Sequence, residues 1–205
     1  MRITVSNTVT IIDPDKDMLD WAKGRYVIPN PEYAKKLRMN FWLGNTPKHL
    51  FLYEQRGNAL ILPFGTLREV LEHRKGPCET DSQFPKPRKV DFGSPIPLYG
   101  YQEQAVNAMQ KAQYGILKSA AGSGKTQMGL ALIKLYGRTA LWLTHTQDLL
   151  QQSKARAEQY MDESLIGTIT DGKVHIGKGV TFATIQTICR LDLTQYRDQI
   201  GRAHV

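Results

Sequence analysis

Long apolar stretches are missing from these 205 residues. No run approaches the roughly eighteen apolar residues of a membrane span, and the opening "MRITVSNTVT" lacks the apolar block of a secretory signal. A cytoplasmic chain is expected. Cysteine is scarce as well: Cys78 and Cys189 stand far apart with no C-x-x-C or Cys/His spacing, so neither a disulfide framework nor a zinc site is indicated. The histidines, at positions 49, 73, 145, 175 and 204, show no ligand spacing. Nor is there a disordered basic tail. The net charge of +8 divides evenly, with 15 basic and 11 acidic residues in 1–97 and 12 and 8 beyond. A surface for a polyanion would have to be assembled by folding, and a solvated, mildly basic surface is the alternative. What remains is an ordinary globular composition, 41% hydrophobic and 22% charged, suited to one or two domains.

Residues 1–74 read as a small α+β unit. "RITVSNTVTII" has the β-branched content of a strand or hairpin, and "DPDKDMLDWAK" and "NPEYAKKLRMN" carry helix start signals. "HLFLYEQRGNALILPFG" reads as a hairpin with "EQRGN" at its turn. "TLREVLEHR" reads as a helix with Thr66 and Glu69 in a capping box. Phe41, Trp42, Phe51 and Tyr53 are expected in the core. Residues 75–97, with five prolines, read as a linker. Beyond it, strands ("YGILKSA", "TALWLTH", "GVTFATIQTI") alternate with helices ("KTQMGLALIKLYG", "TQDLLQQSKARAEQYM"), which predicts an α/β fold with a parallel sheet. "HIGKG" reads as a turn before a strand.

"KSAAGSGKT", Lys118–Thr126, approaches the phosphate-loop pattern G-x-x-x-x-G-K-[ST], with Ser119 in place of the first glycine. Its setting, strand then glycine turn then helix, suits phosphate chemistry: backbone N–H groups of Ser119, Ala120, Ala121, Gly122, Ser123 and Gly124 converge where the helix dipole is positive. Gly122 and Gly124 remove Cβ atoms from the approach. Lys125 would bridge terminal phosphates, and the Thr126 hydroxyl would hold Mg²⁺.

With these neighbours the chain resembles superfamily 2 helicases and translocases, whose loops commonly begin with alanine or serine. "LYGYQEQAVNAM" looks like the upstream Q-type motif, which implies that Gln102 bonds the adenine edge of ATP with Tyr101 beside it; Tyr99 stands where that motif usually has arginine. An ordinary amphipathic helix is the alternative. "ALWLTHTQDLLQQ" resembles motif Ia, implying backbone-phosphate contacts from Thr144, His145 and Thr146. Thr146 also suits a helix cap. "VTFATIQTI" resembles motif Ib, implying contacts from Thr184, Gln186 and Thr187.

The resemblance implies a partial RecA-like P-loop lobe over residues 98–199 that uses ATP and Mg²⁺ and acts on nucleic acid, DNA foremost. A full motor of this class also uses an Asp-Glu pair at a strand end and an arginine finger. "MDES" follows a helix and does not supply the pair. Hydrolysis is therefore expected to be lost in this chain, and unpaired sheet edges are expected to make its second half marginally stable. Ile200–Val205 matches one reading frame of a sequencing adapter, which implies read-through at the end of a truncated gene. Residues 1–74 loosely resemble the modules that precede the motor in XPB-type and phage-like members; this implies a DNA-engaging role in which Lys35, Lys36, Arg38 and Lys48 meet phosphates, with a structural or docking domain as the alternative. The alternatives for the whole chain are a restriction-system motor subunit, a P-loop kinase, and a nucleic-acid-binding module without motor activity.

Overall fold

Alternating apolar residues start the fold. In the computed structural model, which describes residues 1–84, 87–170, 172–192 and 194–196, Ile3 and Val5 of β1 (Arg2–Val5) and Val9 and Ile11 of β2 (Thr8–Ile12) turn to one face and are buried. A tight turn at Ser6–Asn7 makes them an antiparallel pair. The other elements of this first unit, residues 1–84, are α1 (Lys16–Arg25), β3 (Val27–Pro29), α2 (Pro31–Arg38), β4 (His49–Phe51), β5 (Glu54–Arg56), β6 (Ala59–Pro63), α3 (Leu67–His73) and β7 (Glu79–Ser82). A sheet in the order β5-β6-β2-β1-β7 holds the core with Met18, Ala22 and Val70 from α1 and α3. A separate pair, β3 with β4, frames α2.

Several local expectations change. Glu54–Arg56, read as turn residues, form β5, and the reversal falls at Gly57–Asn58. β4 joins β3 instead of β6. Thr66 makes no side-chain cap; its hydroxyl donates to the Pro63 carbonyl, while Glu69 bonds Arg25 and Tyr26. Three of the four aromatics are not core: Trp42 is 89% exposed, Phe41 58% and Phe51 63%, while Tyr53 is half-buried. Phe41, Trp42 and Phe51 fall in residues 27–51, which contribute nothing to the unit's core because the separate β3–β4 pair leaves them no sheet face to cover, whereas Tyr53 packs against that core. The segment read as a linker carries β7, which pairs in parallel with β1, and beyond it Phe92 and Ile96 are buried in the second unit.

That second unit, residues 85–205, contains α4 (Gly100–Ala112), α5 (Lys125–Tyr136), β8 (Ala140–Thr144), α6 (Gln147–Glu158), β9 (Ile166–Thr170), β10 (Lys173–His175), β11 (Val180–Thr184) and the one-turn α7 (Ile185–Ile188). Its sheet runs β10-β9-β11-β8, with β9, β11 and β8 parallel. All five residues of β11 are buried, as a central strand covered on both faces requires. Val180 and Phe182 meet α5 and α6 through Met128, Leu130 and Leu150, while Ala183 meets Leu141 and Ile169 on the other face.

The strand expected at 114–120 is not formed: the segment joins no ladder among the described residues, and Ile116 is 99% exposed. Its apolar content suits a strand, but a strand exists only where a neighbour takes its N–H and C=O groups. The expected strand "GVTFATIQTI" stops at Thr184, whose hydroxyl accepts from Thr187 N–H and opens α7. Ile200–Val205 lie outside the described residues. No helix among the described residues is long and apolar enough to cross a membrane.

Candidate nucleotide loop and strand-end cradle

The loop 119–124 is closed by its own polar groups. Ser119 and Ser123 share a hydroxyl hydrogen bond of 2.5 Å, and Ser123 Oγ donates to the Ala120 carbonyl at 2.8 Å. Lys125 folds back so that Nζ donates to the carbonyls of Ala120 (2.7 Å) and Ser119 (3.2 Å). Gly122 and Gly124 have φ of +77° and +79°, a left-handed backbone that glycine adopts without strain. Gly124 is the N-cap of α5 and has no side chain to accept from the first turn. The leading N–H groups of Lys125, Thr126 and Gln127 have no helical carbonyl within reach either. An array of open donors at a positive helix end, with a lysine ammonium alongside, fits a polyphosphate, and Thr126 is placed half-buried in that first turn.

Gln102 joins α4 to the loop and is 3% exposed. Its Oε1 accepts from Tyr99 N–H at 3.0 Å, and its Nε2 donates to the Ser123 carbonyl (3.0 Å) and to Tyr101 Oη (3.3 Å). Tyr101 Oη donates to the same carbonyl at 3.2 Å. The amide donors of Gln102 are thus both engaged, and an adenine edge would have to replace the Nε2 partners. The contact is close: a Cβ on Gly124 would stand 2.4 Å from Gln102 Nε2. Tyr99 was missed as a site candidate. Its ring stacks on Tyr101 with centroids 6.1 Å apart and is 72% exposed beside the loop. An aromatic two residues ahead of another, at a helix start, was the available signal.

The motif Ia and Ib residues come together at strand ends. Thr144 and Thr184 are register partners on β8 and β11. Thr144 Oγ1 donates to Thr146 O, Thr146 caps α6 by accepting from Leu149 N–H, and Gln186 Nε2 donates to His145 O at 3.0 Å. Thr184 and Thr187 share a hydroxyl bond of 2.9 Å. Since α5 runs back along the sheet before β8 begins, its N-terminus lies at the end where β8 and β11 finish, the usual ligand side of a parallel sheet.

A cleft of about 520 Å³ lies elsewhere in this unit, lined by Asp91, Phe92, Lys134 and Tyr160 among others. Lys134 Nζ donates to Tyr160 O at 2.7 Å; burial lowers its pKa and the Asp91 charge opposes the shift. It is a helix-to-loop tie away from the phosphate loop.

Residues 95–204, more than half of the chain, match the family described as type III restriction enzyme, res subunit. The chain belongs to this family. The res-subunit match takes in the loop, Gln102 and both strand ends. Over 89 residues the chain is 36% identical to the DNA 3'-5' translocase XPB2 of Sulfurisphaera tokodaii (strain DSM 16993 / JCM 10545 / NBRC 100140 / 7), covering 43% of this chain and 20% of that protein. The chain therefore spans about a fifth of this relative's length. Two crystal structures of the UvsW helicase of bacteriophage T4 share the fold, at TM-scores of 0.63 and 0.64 and 18% identity. Each match covers 99% of this chain, and 81% and 46% of the respective UvsW chains. Superfamily 2 kinship rests on these matches together, and the UvsW structures share the RecA-like α/β fold.

Proposed function

We propose that this chain is the nucleotide-binding part of an ATP-dependent DNA helicase or translocase. The observation that carries the reading is α5, whose glycine N-cap leaves the first-turn donors open while Lys125 waits on exchangeable loop carbonyls. Lys125 would move from Ser119 O and Ala120 O to the terminal phosphates, Thr126 would hold Mg²⁺, and Tyr101 and Gln102 would take the adenine. Mg-ATP supplies the energy of phosphoryl transfer when bound. Thr144, His145, Thr146, Thr184, Gln186 and Thr187 would hold a nucleic-acid backbone through hydroxyl, amide and helix-start N–H groups. The XPB2 likeness favours DNA over RNA and a motor over a small-molecule kinase.

Binding without turnover is the expected behaviour of residues 1–205. Their one Asp-Glu pair, Asp162–Glu163, opens a short 3-10 turn after α6 instead of ending a strand. Mg-ATP should raise the melting temperature of the purified chain, by the equivalent of about 2.7 kcal/mol at a hundredfold excess over Kd. Ser119→Gly should keep the shift and Lys125→Ala should lose it. An equal shift in Lys125→Ala would remove the loop from the nucleotide site.

A further inference from the structure

Residues 27–51 fold without burying their largest apolar side chains. Trp42, Phe41 and Phe51 are exposed, together with Leu37 (58%) and Met39 (48%), and none of this segment joins the core of its unit. Yet the segment is tied down. Asn30 caps α2 by accepting from Glu32 N–H and donates through Nδ2 to Pro47 O; Lys36 Nζ donates to Thr46 Oγ1; β3 and β4 pair across its base. Trp42 lies against Gly44, where φ is +49° and an added Cβ would come 3.0 Å from the indole ring. The glycine lets the ring rest on bare backbone and leaves it open to solvent, as a stacking platform requires.

The charge of the segment selects an occupant. The segment holds four Lys or Arg residues against one Glu, and Glu32 is taken up by Lys36 at 2.8 Å. Lys35, Arg38 and Lys48 make no ion pair among the described residues. Isolated exposed apolar residues are commonplace, but three exposed aromatics in one short segment whose cations outnumber its single acid are the chemistry of single-strand binding, in which rings stack bases and cations follow the backbone. A protein partner would be met equally well by the rings, but it gives no reason for the one-sided charge.

We propose that residues 27–51 bind single-stranded nucleic acid, with Phe41, Trp42 and Phe51 stacking unpaired bases and Lys35, Arg38 and Lys48 holding the adjoining phosphates. This site lies in the first unit and needs neither ATP nor the loop, so it stands apart from the function proposed above.

The test uses the full chain without nucleotide, a fluorescein-labelled oligothymidylate of about 20 nucleotides, and a duplex of the same length. Trp42→Ala should weaken oligothymidylate binding by about fivefold or more, and Trp42→Phe should recover most of it. Duplex binding should be unaffected by Trp42→Ala, since paired bases do not offer their faces. The same loss should appear in a Lys125→Ala and in a Thr144→Ala/Thr187→Ala background, which separates this site from the second unit. The exposure of Trp42 predicts an unchanged melting temperature in Trp42→Ala. Wild-type affinity in Trp42→Ala would overturn the proposal. So would equal losses for oligothymidylate and duplex, or a change in oligomeric state with binding intact, which would mark the surface as a contact between copies.

Discussion

Gly124 shows how much one residue can hold. Its left-handed φ sets the loop's exit into α5, and its missing Cβ makes room for the Gln102 amide. Gly124→Ala should cost about 1–2 kcal/mol from backbone strain alone. It should also expel Gln102 from the Ser123 carbonyl, so the Mg-ATP melting shift should fall by more than the stability loss explains; a variant that melts lower but keeps the full shift would separate the two effects. This glycine was legible in the sequence, because a phosphate loop states its backbone needs locally. Trp42 was not. An aromatic among apolar neighbours has the same pattern whether or not a sheet face lies within reach, and only the β3–β4 pairing shows that none does.

Between elements, Glu69 joins α3 to α1. Its Oε2 accepts from Arg25 Nε at 2.8 Å and from Tyr26 Oη at 3.0 Å, and these bonds, Arg25's first, hold its pKa below the ordinary 4.5. A depressed carboxylate contributes stability that is present above its ordinary pKa and is lost as pH falls through the folded one. Melting temperature measured from about pH 6 to about pH 3 should therefore fall more steeply in the wild type than in Glu69→Gln. Parallel curves would remove the bond's role. At the alkaline end Tyr26, pushed up to about 12 by burial and then by Glu69, contributes stability that is full below pH 10 and lost as pH rises through about 12. None of this was visible in "TLREVLEHR", where a capping box was the natural local reading of Thr66 and Glu69. Long-range partners outbid the local one. The segment 114–120 fails in the same manner: its residue types favour a strand, but the ladder must come from elsewhere. The caps at Asp15, Asn30 and Thr146 were readable because each acts within three residues.

For the whole chain, a charge of +8 shared evenly between its halves means that no single patch should account for nucleic-acid affinity. Duplex binding should weaken linearly on a log-log plot against salt, with a slope near −0.9 per phosphate contacted; a flat plot would exclude contacts to phosphate from either unit. Variants should subtract from this slope in small steps. Thr144 and Thr184 bear on how such a molecule tolerates change. Because β8 and β11 lie side by side in register, the two threonines stay level whatever the length of chain between them. The loops that flank α6 and β9 between them can gain or lose residues in the course of descent and leave that alignment in place. One residue added inside either strand would put the pair out of step and turn its hydroxyl to the opposite face, so the strands must keep count while the connection is free to vary.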